Sequence, residues 1–163
     1  MHSPQATADI VSHLTIQEKI SLLAAVDWWR TPTIRRDNQI FVPHIKMSDG
    51  PNGARGESYV SGITAACFPC STNVGATFDS EVAFRLGQEI ARETKTKSAN
   101  VLLAPTMNII RSPLGGRNYE TYSEDPYLIG TLASAFVRGC QTEGIAATPK
   151  HFVANESEKS RTK

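Results

Sequence analysis

Apolar residues at Ile16, Ile20, Leu23 and Ala24 recur at helical spacing. They follow Thr15-Ile-Gln-Glu18, a capping box in which a hydroxyl and a carboxylate satisfy the first free N–H groups of a helix. The pattern predicts a helix from about Thr15 to Ala25, with residues 1–14 as an N-terminal tail. Ile40-Phe-Val-Pro-His-Ile-Lys-Met47 is β-favouring but interrupted by Pro43, and predicts a short strand ending near Met47. Gly50, Pro51, Gly53 and Gly56 then demand a tight irregular loop. Asp79 as N-cap, with Val82, Leu86 and Ile90 on one face, predicts a second helix that frays near Thr94–Ser98. Val101-Leu-Leu-Ala-Pro105 is a continuous apolar run, typical of a strand buried on both faces. Asp125 followed by Pro126 opens a third helix, with Leu128, Leu132, Ala135 and Phe136 inward and Gly144 at its C-cap. Ile145–Val153 reads as a third strand.

The order helix, strand, loop, repeated three times, favours parallel strands joined by right-handed crossovers. The fold class is α/β, a partial (β/α)8 TIM-like barrel of about three βα units over residues 15–163. Three strands cannot close a barrel of eight, so the sequence reads as truncated.

Polar groups collect after each strand: Asp49 and Arg55, then Arg117, then Lys150, His151 and Arg161. In a (β/α) barrel those ends share one face, where ligands bind. Asp49 is open to two readings, an Asx-turn starter or a carboxylate accepting from ligand hydroxyls. Gly115-Gly116 can take positive φ and turn sharply, which would present Arg117, with Tyr119, Glu120, Tyr122 and Glu124 close behind. A donor fork, aromatic faces and carboxylates suit a small polyhydroxylated ligand; the plainer alternative is a solvated loop. Trp28 and Trp29 are adjacent and cannot both face one core, so one either covers a cleft or packs a helix end.

The 163 residues carry a net charge of +1, with 40% hydrophobic and 20% charged content. That balance gives no pull toward nucleic acid or a membrane surface. The apolar runs are too short to span a bilayer, and Met1–Asp9 lacks the basic and apolar segments of a secretory signal peptide. The expectation is a cytoplasmic protein or one exported by an unconventional route. Three cysteines are an odd number, against a disulfide framework. Cys67-Phe-Pro-Cys70 lacks a second ligand pair, so no metal or cofactor is expected there.

Several stretches together resemble the N-terminal part of glycoside hydrolase family 3, in its β-glucosidase branch. They are Ser48-Asp-Gly-Pro-Asn-Gly-Ala-Arg-Gly56, Cys67-Phe-Pro-Cys70 with Ala76-Thr-Phe-Asp79, and Ser112-Pro-Leu-Gly-Gly-Arg-Asn-Tyr-Glu120. Ser123-Glu-Asp-Pro-Tyr-Leu128 and Gly144-Ile-Ala-Ala-Thr-Pro-Lys-His-Phe-Val-Ala-Asn155 complete the set. The resemblance implies a first-domain (β/α) barrel and a retaining, exo-acting enzyme that releases terminal β-D-glucosyl residues from a β-glucoside or oligosaccharide. It implies that Asp49 accepts from two sugar hydroxyls and that Lys150 and His151 donate to their neighbours. Arg55 joins the grip, Arg117 acts from the side of the ring, and Arg161 braces the site. No cofactor is implied.

Retention needs a carboxylate nucleophile and an acid/base. By resemblance both lie beyond Lys163, so no catalytic carboxylate is assigned among these residues, and the isolated chain is expected to be inactive and poorly folded. Pro149 stands where a strand residue able to donate is expected, which would displace Lys150 and His151. Val153-Ala-Asn-Glu-Ser-Glu lacks the Gly- and His-rich loop of the family's N-acetylglucosaminidases. Three alternatives stay open: a non-catalytic carbohydrate-binding or vestigial fragment, a β-xylosidase-type member, and a phosphate-binding barrel in which Gly115-Gly116 and the cations cradle a phosphate.

Overall fold

The computed structural model describes residues 4–58, 60 and 62–158, so Arg161 lies outside the described residues. The chain forms two compact units, Met1–Lys46 and Met47–Lys163.

In the first unit, the stretch read as a tail is helical over Pro4–Ser12 (α1). The capping box forms as expected: Thr15 Oγ1 accepts from Glu18 N, and Glu18 Oε2 accepts from Thr15 N. The helix it opens, α2, covers only Ile16–Ser21, and Ile16, Ile20 and Leu23 are exposed. The expected single strand divides at Pro43. Ile34–Arg36 (β1) and Gln39–Val42 (β2) pair antiparallel, and the turn residues Asp37 and Asn38 take positive φ of 48° and 62°. Asn and Asp tolerate that conformation better than most residues. Of the tryptophans, Trp29 is buried and Trp28 exposed.

Glu18 fastens α2 to this hairpin. Arg36 Nη2 donates to its Oε2 at 2.6 Å and to the His13 carbonyl at 2.7 Å, while the guanidinium lies 4.3 Å from the Phe41 ring centroid. The hydrogen bond from Arg36, with that from the Thr15 N–H, holds the Glu18 carboxyl at about 2, below its ordinary 4.5. A carboxyl depressed in the folded state stabilises the fold above its unfolded value. That contribution is whole above about pH 4.5 and is lost as pH falls toward about 2. A carboxyl NMR titration is expected to give a Glu18 midpoint near 2, moving toward 4.5 in Arg36→Gln. An ordinary midpoint with Arg36 intact would show that the bridge does not form.

The second unit holds the alternation. Met47–Asp49 (β3), Val101–Leu103 (β4) and Ala146–Ala147 (β5) form a parallel sheet in the order β3-β4-β5. A short helix, Ser71–Gly75 (α3), and a long one, Ser80–Thr96 (α4), lie between β3 and β4; Pro126–Thr142 (α5) joins β4 to β5. Asp79 and Asp125 cap α4 and α5 with their carboxylates, and Gly144 follows α5 at φ +75°. Helix α4 ends at Thr96, within the stretch where fraying was expected, and its buried stripe is Ala83, Leu86, Ile90, Ala91 and Thr94, with Val82 exposed. Together with Leu102, Leu132, Ala135, Phe136 and Cys140 this stripe makes the core. Burial pushes the Cys140 thiol up to about 12.

Candidate functional site

Strand β3 delivers Asp49 to the start of the glycine loop. Gly50 stands at φ +152°, and a Cβ there would fall 1.8 Å from the Gly53 carbonyl oxygen, so only glycine fits the turn. The loop folds back on its own strand: Arg55 N donates to Asp49 O at 2.9 Å, and Gly56 N to the buried Ser48 hydroxyl at 3.0 Å. Arg55 thereby comes beside Asp49, with Nη2 3.9 Å from Oδ2. From outside, Glu93 of α4 pins the loop, accepting from Ala54 N at 2.7 Å and from Ala66 N at 2.6 Å. Sequence reasoning missed Glu93. Its place three residues after the buried Ile90, at the edge of an apolar face, is the only signal.

Strand β5 is shorter than the run that foretold it, but the pairing resumes beyond it. Thr148 N donates to Leu102 O and Ala104 O, Lys150 N to Pro105 O at 2.9 Å, and Met107 N to Lys150 O at 2.8 Å. Pro149, which has no N–H, falls between two donating residues, Thr148 and Lys150. Lys150 Nζ reaches back across β4 to Asp49 Oδ1 at 2.5 Å, joining residues 101 positions apart. The Lys150–His151 and Phe152–Val153 peptides are cis. Asn108, another residue the sequence did not single out, clamps the His151 backbone from both sides, accepting from its N–H at 2.8 Å and donating to its carbonyl at 3.1 Å.

Arg117 arrives differently from expected. Positive φ occurs at Gly50, Gly53, Gly56 and Gly144, and neither Gly115 nor Gly116 takes it. A Cβ on Gly115 would instead lie 2.4 Å from Asn118 Oδ1, so a side chain there would have to push aside the Asn118 amide, which donates to the Ser112 carbonyl. Arg117 then leads a single 3-10 turn, Asn118–Glu120. Its Nε donates to Glu120 Oε1, its Nη2 lies 3.1 Å from His151 Nε2, and its Nη1 is 3.8 Å from Glu158 Oε1. The Glu120 hydrogen bond raises the guanidinium pKa further, so Arg117 stays a cation. Of the residues that follow it, Tyr122 and Glu120 are buried, and Tyr119 and Glu124 are exposed.

The described residues thus gather in two linked groups. Asp49, Arg55 and Lys150 form one ion cluster at the ends of β3 and β5. Arg117 and His151 form the other, and the Lys150–His151 peptide joins them. A recess bordered by Thr106, Asn108, Gly116, Arg117, Asn155 and Glu158 opens beside the second group. Chemically, the assembly offers one carboxylate acceptor, three cations and an imidazole, a set matched to hydroxyls. Among the described residues no group of three or more His, Cys, Asp or Glu side chains comes together to hold a metal ion.

Residues 32–162 match the glycosyl hydrolase family 3 N-terminal domain. A beta-glucosidase from Rhizobium radiobacter is 52% identical over 154 residues, covering 94% of this chain and 18% of its own length. Beta-glucosidase B from Emericella nidulans is 50% identical over 158 residues, covering 97% and 18%. The crystal structure of a beta-glucosidase from Kluyveromyces marxianus in complex with glucose superposes with a TM-score of 0.87 at 47% identity, over 92% of this chain and 18% of that one. The chain therefore spans about a fifth of the length of these relatives.

Proposed function

The chain belongs to glycosyl hydrolase family 3, and on that footing we propose that it is part of a retaining, exo-acting β-glucosidase, in which it grips the terminal non-reducing β-D-glucosyl ring. The observation that carries this reading is the meeting of Asp49 with Lys150 across the end of the sheet, with Arg55 alongside. A sugar ring buried in a pocket needs an acceptor for each hydroxyl hydrogen and donors for its oxygens, since each unmatched polar group costs about 1–3 kcal/mol. Asp49 supplies acceptor oxygens. Lys150 has three N–H donors, of which Asp49 occupies one. Arg117 and His151 serve hydroxyls farther round the ring, and Arg161 braces the site.

Among the described residues, Asp49 is held by Lys150 and Arg55, and His151 by Arg117, before a sugar arrives, so little reorganisation accompanies binding. Contacts to the ring hydroxyls that tighten as it flattens toward an oxocarbenium ion lower the barrier rather than merely adding affinity. Retention also requires a nucleophile and an acid/base. Glu120 and Asp125 are engaged otherwise, the one by Arg117 and Thr106, the other as the cap of α5. On this reading both catalytic carboxylates come from chain outside these residues, and β3, β4 and β5 are consecutive staves of a (β/α)8 barrel.

The test is hydrolysis of an aryl β-glucoside by the full-length protein, followed by proton NMR. β-Glucose is expected as the first anomer formed. Inversion, or no hydrolysis, would refute the proposal.

A further inference from the structure

Glu120 is a buried carboxylate that the reading above leaves without a task. Its side chain is 6% exposed, and both oxygens are engaged. Oε1 accepts from Arg117 Nε, and Oε2 from Thr106 Oγ1 at 3.2 Å. Thr106 is itself buried and pairs with Lys150 at the end of the sheet. Glu120 therefore anchors the Arg117 guanidinium to the strand end that also carries the Lys150–His151 pair.

Arg117 passes this constraint on. Its Nη2 lies 3.1 Å from His151 Nε2. A guanidinium has five donors and no acceptor, so Nε2 must be the accepting nitrogen, and the ring proton sits on Nδ1. On that side Asn108 Oδ1 lies at 3.4 Å and accepts from it, while the Asn155 amide nitrogen stands at 3.2 Å, so a proton on Nδ1 calls for that amide to be turned with its oxygen toward the ring. A doubly protonated ring would set an N–H against the guanidinium. We propose that Glu120 is a positioning residue that, through Arg117, holds His151 neutral with its proton on Nδ1. A ligand hydroxyl that takes the place of Arg117 Nη2 at Nε2 then donates to it. This reverses, at that atom, the donating role expected from the sequence. The catalytic consequence rests on the proposed sugar contact of His151; the tautomer does not.

The test is a two-bond proton–nitrogen NMR spectrum of the full-length protein at neutral pH. The sequence holds four histidines, so His151 is assigned by the signal that His151→Gln removes. Nδ1 is expected to be protonated and Nε2 bare in the parent protein. Glu120→Ala should release the ring into a mixture of tautomers, and Glu120→Gln, which keeps an oxygen for Arg117 Nε, should restore the single one. Should Glu120→Ala fail to fold, Arg117→Met gives the same readout from a side chain that is partly exposed. A ring proton on Nε2 in the parent, or one fixed on Nδ1 in Arg117→Met, overturns the proposal. In the full-length protein Glu120→Ala should lower turnover of an aryl β-glucoside about 10²-fold, the size expected from misplacing a contact by an ångström. A released tautomer with unchanged turnover would uphold the positioning role and count against the sugar contact of His151.

Discussion

Lys150→Ala is expected to lower kcat/KM for an aryl β-glucoside by about 10²- to 10³-fold, with most of the loss in kcat. Two effects add. A charge-assisted hydrogen bond to a sugar hydroxyl, worth about 1.5–3 kcal/mol, disappears. Asp49 also loses its partner at 2.5 Å and, among the described residues, keeps Arg55 at 3.9 Å. The second effect is discounted because the Asp49 side chain is 32% exposed and water can approach it. Lys150→Arg should not rescue the enzyme, since a planar fork cannot occupy the place of a compact ammonium. Asp49→Ala removes the other half and should nearly abolish turnover. Steady-state kinetics on full-length variants, with circular dichroism to check folding, measure both. Near-parental kinetics in either variant would remove the site from the sugar.

Gly87→Ala and Gly139→Ala should each destabilise the protein by about 1–3 kcal/mol, and by more together. These glycines lie where α4 and α5 cross. A Cβ on Gly87 would fall 2.2 Å from the Phe136 carbonyl oxygen, and one on Gly139 would fall 2.1 Å from that of Phe84. Both obstacles are backbone, so neither can swing aside, and the helices must part to admit a methyl group. Gly130 is the control. It lies within α5 with nothing within 4 Å of its added Cβ, so Gly130→Ala should stabilise by about 0.5–1 kcal/mol through helix propensity. Thermal unfolding should place the melting temperatures in the order Gly130→Ala, parent, Gly87→Ala. Equal melting of the three would mean that α4 and α5 do not pack as described.

Local signals in the sequence carried well where the determinant is local. Thr15 and Glu18 form their capping box, Asp79 and Asp125 cap their helices, and Gly144 follows α5 at φ +75°. The parallel order of β3, β4 and β5 was legible from alternation, and the union of Asp49 with Lys150 from the rule that strand ends share a face. Failures came where a distant partner decides. Pro43 splits one apolar run into β2 and β3, and the partner of β2 is a strand, β1, that the pattern did not reveal. Gly115 does not take positive φ, and its close neighbour is the Asn118 side chain, which folds over it. Glu93, Asn108 and Glu120 act through contacts 43, 39, 27 or 14 residues away, or through a neighbouring arginine, and no periodicity marks such residues.

The reach of Lys150 back to Asp49 has a cost in chain entropy. The hairpin contact of Ile34 with Val42 closes a short loop, whereas the ion pair closes one of 101 residues. At about 0.6 kcal/mol for each doubling of length, the longer closure is dearer by about 2 kcal/mol. Non-local contacts of this kind slow folding. Two crossover segments must be in place before the ammonium meets the carboxylate, so the cluster matures late on the folding path and its completion signals that the three-stranded sheet has locked into register.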